Sequence, residues 1–298
     1  MAVKTVQAII NGVTTTLTLN SATGKYEATI TAPPKSSYPL DNHYYPVTVK
    51  ATDEAGNVTT VDPSHATLGN SLKLFVKEKT APTLTWTYPG ANALITNNKP
   101  KFEWTVTDDD SGVNPDTIGI TIDSNSKVTS GITKTPITNG YKCTYTPTNA
   151  LGEGSHTVKI DATDYDGNAA TQKSVTFKVD TVPPTLNVTT PADGTITNKS
   201  TITVSGTTND ATSSPVTLTI NGQSVTVASN GTFSKEVTLS EGPNPIVVKA
   251  TDSAGKYTTI TRNVVLDTAK PEIVSVTMTP NPVDGGKTFI ISVEASDA

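Results

Sequence analysis

Aspartate is the residue best placed to do chemistry in this chain, because it recurs in one repeated phrase. Lys50-Ala51-Thr52-Asp53-Glu54-Ala55-Gly56-Asn57 returns as Asp161-Ala162-Thr163-Asp164-Tyr165-Asp166-Gly167-Asn168. It returns again as Lys249-Ala250-Thr251-Asp252-Ser253-Ala254-Gly255-Lys256. A carboxylate in a glycine-bearing loop can ligate a hard cation such as calcium, which takes roughly six to eight oxygens. One carboxylate per turn falls short of that number. The same residues also serve a plain turn, where Asp bonds its own backbone two residues on and Gly supplies a positive φ. The turn reading is preferred, with Asp164 and Asp252 capping exposed N–H groups at on the order of 1 kcal/mol each. No metal site is assigned.

Asp108-Asp109-Asp110-Ser111-Gly112, with Asp116 nearby, is a denser acidic loop. It lacks the Asp-x-Asp-x-Asp-Gly spacing of a calcium loop, and a solvated turn is expected. Of the histidines, His156 stands the same distance before its phrase aspartate as Tyr45 and Asn244 do before theirs. A polar side chain at that corner can bond the backbone, so His156 reads as structural. His43 and His65 fall in loops. No Ser, His and Asp form a nucleophile pattern, and no Gly-x-Ser-x-Gly, phosphate loop or Cys/His metal spacing occurs. No catalytic residue and no cofactor is assigned, and the chain reads as a non-enzyme. The one cysteine, Cys143, lies in the alternating run Tyr141-Lys142-Cys143-Thr144-Tyr145 and reads as a small core hydrophobe. The loop Pro33 to Tyr45 gathers Tyr38, Tyr44 and Tyr45 of the nine tyrosines. Tyr38, His43 and Tyr44 are candidates for ligand binding, since loops with exposed aromatics bind partners. The alternative is a loop packed on its own sandwich.

The elements that hold these residues are strands. Aromatics make up 5% and charged residues 16% of the 298 residues, and Thr and Val dominate alternating runs, which suits half-buried strands. No apolar stretch has a helical period. The net charge of -5 argues against a nucleic-acid partner. No apolar run reaches the ~20 residues that span a bilayer.

A hinge follows each phrase: Lys79-Thr80-Ala81-Pro82, Asp180-Thr181-Val182-Pro183-Pro184 and Asp267-Thr268-Ala269-Lys270-Pro271. Repetition of this kind describes modules in series. Residues 182–269 predict strands at 185–190, 200–207, 216–220, 223–227, 232–239, 245–252 and 257–266, with Asn221-Gly222 as a hairpin turn. Seven short strands with frequent turns read as an immunoglobulin-like sandwich. Residues 80–181 predict strands at 84–88, 102–107, 118–122, 141–146, 156–164 and 170–179, with Trp86 and Trp104 in the core rather than on a sugar-stacking platform.

Val216-Thr217-Leu218-Thr219-Ile220-Asn221-Gly222, Asn230-Gly231-Thr232-Phe233-Ser234, Leu239-Ser240-Glu241-Gly242-Pro243-Asn244 and the third phrase carry a resemblance. Residues 183–268 resemble the bacterial Ig-like module of the glucodextranase B-domain type. That family is accessory and non-catalytic, so the resemblance implies no active site here. The chain departs from it at Lys256, where Asn is usual.

Residues 1–79 align with the third module from its hairpin onward, Ile10-Asn11-Gly12 matching Ile220-Asn221-Gly222 and Tyr26–Ile30 matching Phe233–Val237. They are an incomplete module lacking its first two strands. Residues 270–298 predict two strands, 273–278 and 288–294, with no sandwich of their own. The deficit at one end equals the surplus at the other. Strand complementation is therefore expected through Ile273, Val274, Val276, Met278, Phe289, Ile290, Ile291 and Val293, within the same chain, with another particle protein or, favoured, with a second copy giving a head-to-tail oligomer or filament.

The expected fold is all-β, tandem immunoglobulin-like sandwiches in an elongated rod. Strands of about 10 residues span roughly 33 Å each, so the rod should exceed roughly 100 Å. Met1-Ala2-Val3-Lys4-Thr5-Val6-Gln7 is not a secretory signal. In style the chain resembles prophage-encoded Ig-like tail-associated proteins of Gram-positive bacteria. That implies a structural or adhesive protein of a virion or phage-like particle, extracellular after lysis. The alternative is a secreted surface adhesin or carbohydrate-binding accessory module that contacts cell-surface glycan.

Overall fold

The computed structural model describes residues 2–297. The chain divides into two compact units, Met1–Val179 and Asp180–Ala298.

The first unit begins with β1 (Val3–Ile10), β2 (Val13–Asn20), β3 (Lys25–Glu27), β4 (Tyr45–Asp53), β5 (Val58–Val61) and β6 (Lys73–Leu74). Asn11 and Gly12 both take positive φ, 48° and 77°, which closes β1 on β2 with the turn that Asn-Gly favours. The strands form one sheet in the order β3-β2-β1-β4-β5, with β6 paired to β4. The register sets Val6, Ala8 and Ile10 beside Leu17, Thr15 and Val13 on one side and Ala51, Val49 and Val47 on the other. Strand alternation puts all of these on one face, and that face is apolar. Gln7, Thr14, Thr16, Thr48, Lys50 and Thr52 occupy the polar face. Among the described residues no second sheet lies over the apolar face: Val13 is 65% exposed, and only Ala8 of the group is buried.

The unit continues with β7 (Thr83–Tyr88), β8 (Leu94–Ile95), β9 (Phe102–Thr107), β10 (Val113–Ile122), β11 (Thr133–Ile137), β12 (Gly140–Tyr145), β13 (Gly154–Asp164) and β14 (Lys173–Val179). They make two sheets, β11-β12-β9-β7 and β10-β13-β14-β8. Between the sheets Phe102, Trp104, Val106, Ile118, Ile120, Val158, Ile160, Phe177 and Val179 are fully buried. Trp86 stacks on Trp104 with ring centroids 6.3 Å apart and donates Nε1–H to the Pro89 carbonyl at 2.6 Å. The tryptophans are core residues. Cys143 lies fully buried in the same core, and burial pushes its thiol up to about 11, which leaves it inert as a nucleophile at neutral pH.

The second unit contains β15 (Thr185–Thr190), β16 (Thr195–Thr197), β17 (Thr201–Asn209), β18 (Thr217–Ile220), β19 (Gln223–Val225), β20 (Thr232–Thr238), β21 (Gly242–Thr251) and β22 (Tyr257–Leu266). A three-stranded sheet, β15-β17-β20, faces a five-stranded one, β16-β22-β21-β18-β19. Val204, Ile246, Val248, Ala250 and Val264 are fully buried between them. β16 was not predicted. It is a three-residue strand lying parallel on β22, too short to alternate visibly.

β23 (Glu272–Thr279) and β24 (Ile290–Ser296) form a separate two-stranded sheet. Val276 pairs with Val293 and Met278 with Ile291. With Val274 they make one apolar face, while Ser275, Thr277, Thr279, Ser292 and Glu294 make the other together with Ile290, which the sequence reading places with the apolar set. The five residues of the apolar face are 47–57% exposed. Phe289, expected inside the second strand, precedes β24 instead.

Candidate functional site

Each phrase aspartate holds its loop closed from inside. Asp53, Asp164 and Asp252 accept the backbone N–H of Asn57, Asn168 and Lys256, each at 2.8 Å. The bond reaches four residues on, not the two that an Asx turn implies, because a glycine at positive φ (Gly56, Gly167 and Gly255) turns the chain back. In the first two phrases the Asn side chain also serves the second carboxylate oxygen, at 2.9 Å to Asp53 and 2.7 Å to Asp164.

The structure then adds carboxylates that the repeat alone does not bring together. Glu78, Asp108 and Asp164 form one group and Asp180, Asp210 and Asp252 another, with ligand-capable oxygens within 4.8 Å of one another in each. The two groups are built alike: a phrase aspartate, an acid from the segment preceding the module, and an acid just after the second long strand. The expectation of one carboxylate per turn is thereby corrected to three per cluster. The acidic loop is corrected too. Asp108 is buried, not solvated, and its Oδ1 accepts the N–H groups of Asp110 and Gly112 at 3.1 and 2.8 Å. Glu78 Oε1 accepts Ser111 N–H at 2.7 Å. Burial, reinforced by the charges of Asp108 and Asp110, raises the Glu78 carboxyl above its ordinary value. A visible signal existed: an acid heads both the Glu78-to-Pro82 and Asp180-to-Pro183 segments, and an Asp follows both Thr107 and Asn209.

The tyrosine loop docks within the first unit. Ser36 N–H donates to Asp110 Oδ1 at 2.9 Å. The Tyr38 ring lies between His43 and Tyr165, stacked at 4.4 and 4.1 Å. With both faces covered, Tyr38 offers no stacking platform to a ligand, and His43 is engaged with it and with its carbonyl. Tyr44 meets Phe75 edge-on, and the Lys73 ammonium lies 5.4 Å from its ring centre. The loop packs, both on the turn carrying Tyr165 and on the segment of β6 and the residues after it, Lys73 to Val76.

The three corner residues all bond backbone. Tyr45 Oη donates to Lys35 O at 3.2 Å, and Asn244 Nδ2 to Gly242 O at 2.7 Å. His156 Nε2 lies 2.9 Å from Gly152 O, and its Nδ1 2.9 Å from Asp123 Oδ2. Burial opposes a charge on His156, but the Asp123 carboxylate and the Gly152 carbonyl outweigh it and hold its pKa above the ordinary value. A raised folded pKa adds stability that is complete below the unfolded value of about 6.5 and is lost as pH rises through the folded pKa. The melting temperature of the first unit is therefore expected to fall as pH rises across that window. His156→Gln should flatten the profile in calorimetry at stepped pH. An unchanged slope in the variant would remove His156 as its cause.

Residues 88–181 match the family described as bacterial Ig-like domain. Residues 184–268 match the family described as glucodextranase, domain B. Both stretches are immunoglobulin-like modules. Modules of this type are typically non-catalytic. The chain is 36% identical over 109 residues to Bacillopeptidase F of Bacillus subtilis (strain 168), a match taking in 37% of this chain but only 7% of that protein's length. Among solved structures, the tetra-tandem repeat in the extending region of a large adhesion protein is 20% identical, with 98% of this chain and 79% of that one covered at a TM-score of 0.35. A three-Ig fragment of titin is 12% identical, with 89% and 88% covered at 0.46. Fibronectin(III)-like modules of Clostridium thermocellum CbhA are 17% identical, with 62% and 94% covered at 0.33.

Proposed function

We propose that this chain is a non-catalytic structural or adhesive protein whose copies join head to tail by strand complementation, in a phage or phage-tail-like particle. The carrying observation is a pair of half-structures with matching chemistry. The β1–β5 sheet has an apolar face with no second sheet over it among the described residues. The β23–β24 hairpin has an apolar face with no sheet under it.

The complete module in the second unit supplies the pattern for joining them. There β15 and β17 pair antiparallel, and β17 then pairs with β20. In the first module β3 corresponds to β20, but β15 and β17 have no counterpart. β3 stops at Glu27, short of the strand expected through Ile30, and lies on the edge of β2 instead. The hairpin reproduces the missing pair in its antiparallel register, with one bulge in each pair, at the end of β15 and at the start of β23. Docked on another copy, β24 would take the place of β17 and extend β3. An unpaired edge is a template for such addition, and an isolated hairpin is marginal in water. The particle setting rests on the style of the modules. A second reading is a secreted surface adhesin or carbohydrate-binding accessory module, and the partial Bacillopeptidase F match favours it only in so far as this chain would be one region of a larger bacterial protein.

The test compares the chain with a Val276→Lys, Ile291→Lys double variant, which places two charges on the apolar face of the hairpin. Light scattering should give oligomers for the parent at high concentration and monomers for the variant. A monomeric parent, or equal oligomers in both, would overturn complementation.

A further inference from the structure

We propose that Asp180, Asp210 and Asp252 form a site for a hard divalent cation of the calcium type. The three side chains are buried, at 0%, 9% and 6% exposure. One ligand-capable oxygen of each lies within 4.8 Å of those of the other two. Among the described residues none of the three has an ion-pair partner closer than 4.0 Å. Three carboxylates this close, out of water, repel strongly unless a cation or protons intervene.

The hydrogen bonds indicate where the cation goes. One oxygen of each carboxylate is committed to backbone. Asp180 Oδ1 accepts Val182 N–H at 3.2 Å, and Asp252 Oδ1 accepts Lys256 N–H at 2.8 Å. Asp210 Oδ1 accepts Thr212 and Ser213 N–H at 2.8 and 2.6 Å. These bonds fix the carboxylates in place. Asp180 Oδ2 and Asp252 Oδ2 are buried with no hydrogen-bond partner at all. A buried charged oxygen left unpaired is costly, and two of them in one cluster point to a missing positive centre.

The repeats sharpen the argument. In the first two phrases, Asn57 and Asn168 side chains occupy the second oxygen of Asp53 and Asp164. The third phrase has Lys256 in that position, and Lys256 gives Asp252 only its backbone N–H. The departure from the usual Asn therefore opens the one oxygen that the other phrases close. The donors are all oxygen, which suits calcium and not zinc, whose structural sites favour nitrogen and sulfur. With one oxygen of each carboxylate held by backbone, the three residues supply about three oxygens, and carbonyls or water complete the shell. The loops carrying the ligands already touch, with Ser253 N–H on Ser213 O at 3.2 Å and Ser253 Oγ on Pro215 O at 3.3 Å, so the cation would tie Asp180 to a preformed pair.

The experiment takes the whole chain, stripped with chelator, and titrates it calorimetrically with calcium chloride and, separately, with magnesium chloride to a few millimolar, the range of weak extracellular calcium modules. One saturable calcium event per chain is expected, along with an upward shift of the second unit's melting transition. Asp252→Asn should lose both. In chelator it should melt no lower than the parent, because it removes one of three repelling charges. Lys256→Asn keeps all three carboxylates but offers Asp252 the donor that Asn168 offers Asp164, and should weaken calcium on the order of tenfold, the worth of one good hydrogen bond. No heat and no shift in the parent would overturn the site. Equal calcium shifts in parent and Asp252→Asn would also overturn it, leaving Asp252 as a turn cap only.

Discussion

Trp104→Ala is expected to lower the stability of the first unit by about 3–5 kcal/mol, the usual cost of truncating a buried aromatic. Trp104 is fully buried in the centre of β9, pairs across the sheet with Cys143 and Trp86, and stacks on the Trp86 ring. Its neighbours Phe102 and Phe177 are themselves pinned by facing strands, so the cavity cannot collapse easily. The loss would be a large part of the roughly 5–15 kcal/mol that holds a domain folded. Trp104 Nε1 is buried without a hydrogen-bond partner. Trp104→Phe discards that unpaired donor while keeping a ring, so it should cost well under half as much. Denaturant unfolding followed by tryptophan emission and circular dichroism would read both variants. Equal losses for Ala and Phe would mean that the ring does not organise this core.

The strands were legible wherever one face is buried. β9 alternates Phe102, Trp104 and Val106 inward with Glu103, Thr105 and Thr107 outward, and its limits are those expected from the pattern. β22 likewise runs from Tyr257 to Leu266 as predicted. β8 and β11 were not visible. β8 is two residues long. β11 is an edge strand that tolerates Pro136, the residue that argues against a strand in a sequence. Residues 3–61 form a single sheet, and the alignment on Asn11-Gly12 is the sequence feature that prompts the reading of a module short of two strands. How the loop Pro33 to Tyr45 would fold does not follow from it.

The site was less legible, for a physical reason. A repeat shows what recurs along the chain, and the acidic clusters are assembled across it. Asp164 and Asp252 stand out because their phrase recurs. Glu78 precedes one hinge and Asp180 opens another of different spelling, and Asp108 and Asp210 follow strands that lead into unlike loops. Only the closing of two loops against the incoming segment gathers three carboxylates. In the same way Tyr38 reads as an exposed aromatic until Tyr165, far along the chain, covers its second face.

Gly206→Val is expected to collapse the second unit while leaving the first untouched. Gly206 sits inside β17, flanked by Val188 of β15 and Phe233 of β20. A Cβ there would lie 2.0 Å from the Asn187 carbonyl oxygen and 2.8 Å from the tip of the Phe233 ring. The ring can swing, but the carbonyl belongs to the β15 ladder and can retreat only by breaking it. Overpacking in a core costs about 1–3 kcal/mol when side chains can yield, and a backbone clash exceeds that. Gly90→Ala is the control, since a Cβ at Gly90 meets nothing within 4 Å. In scanning calorimetry of the whole chain, Gly206→Val should remove or sharply lower one melting transition and leave the other in place. Gly90→Ala should move neither. If both transitions fell together in Gly206→Val, the two units would share one cooperative core, and the independence assumed for their unfolding would be wrong.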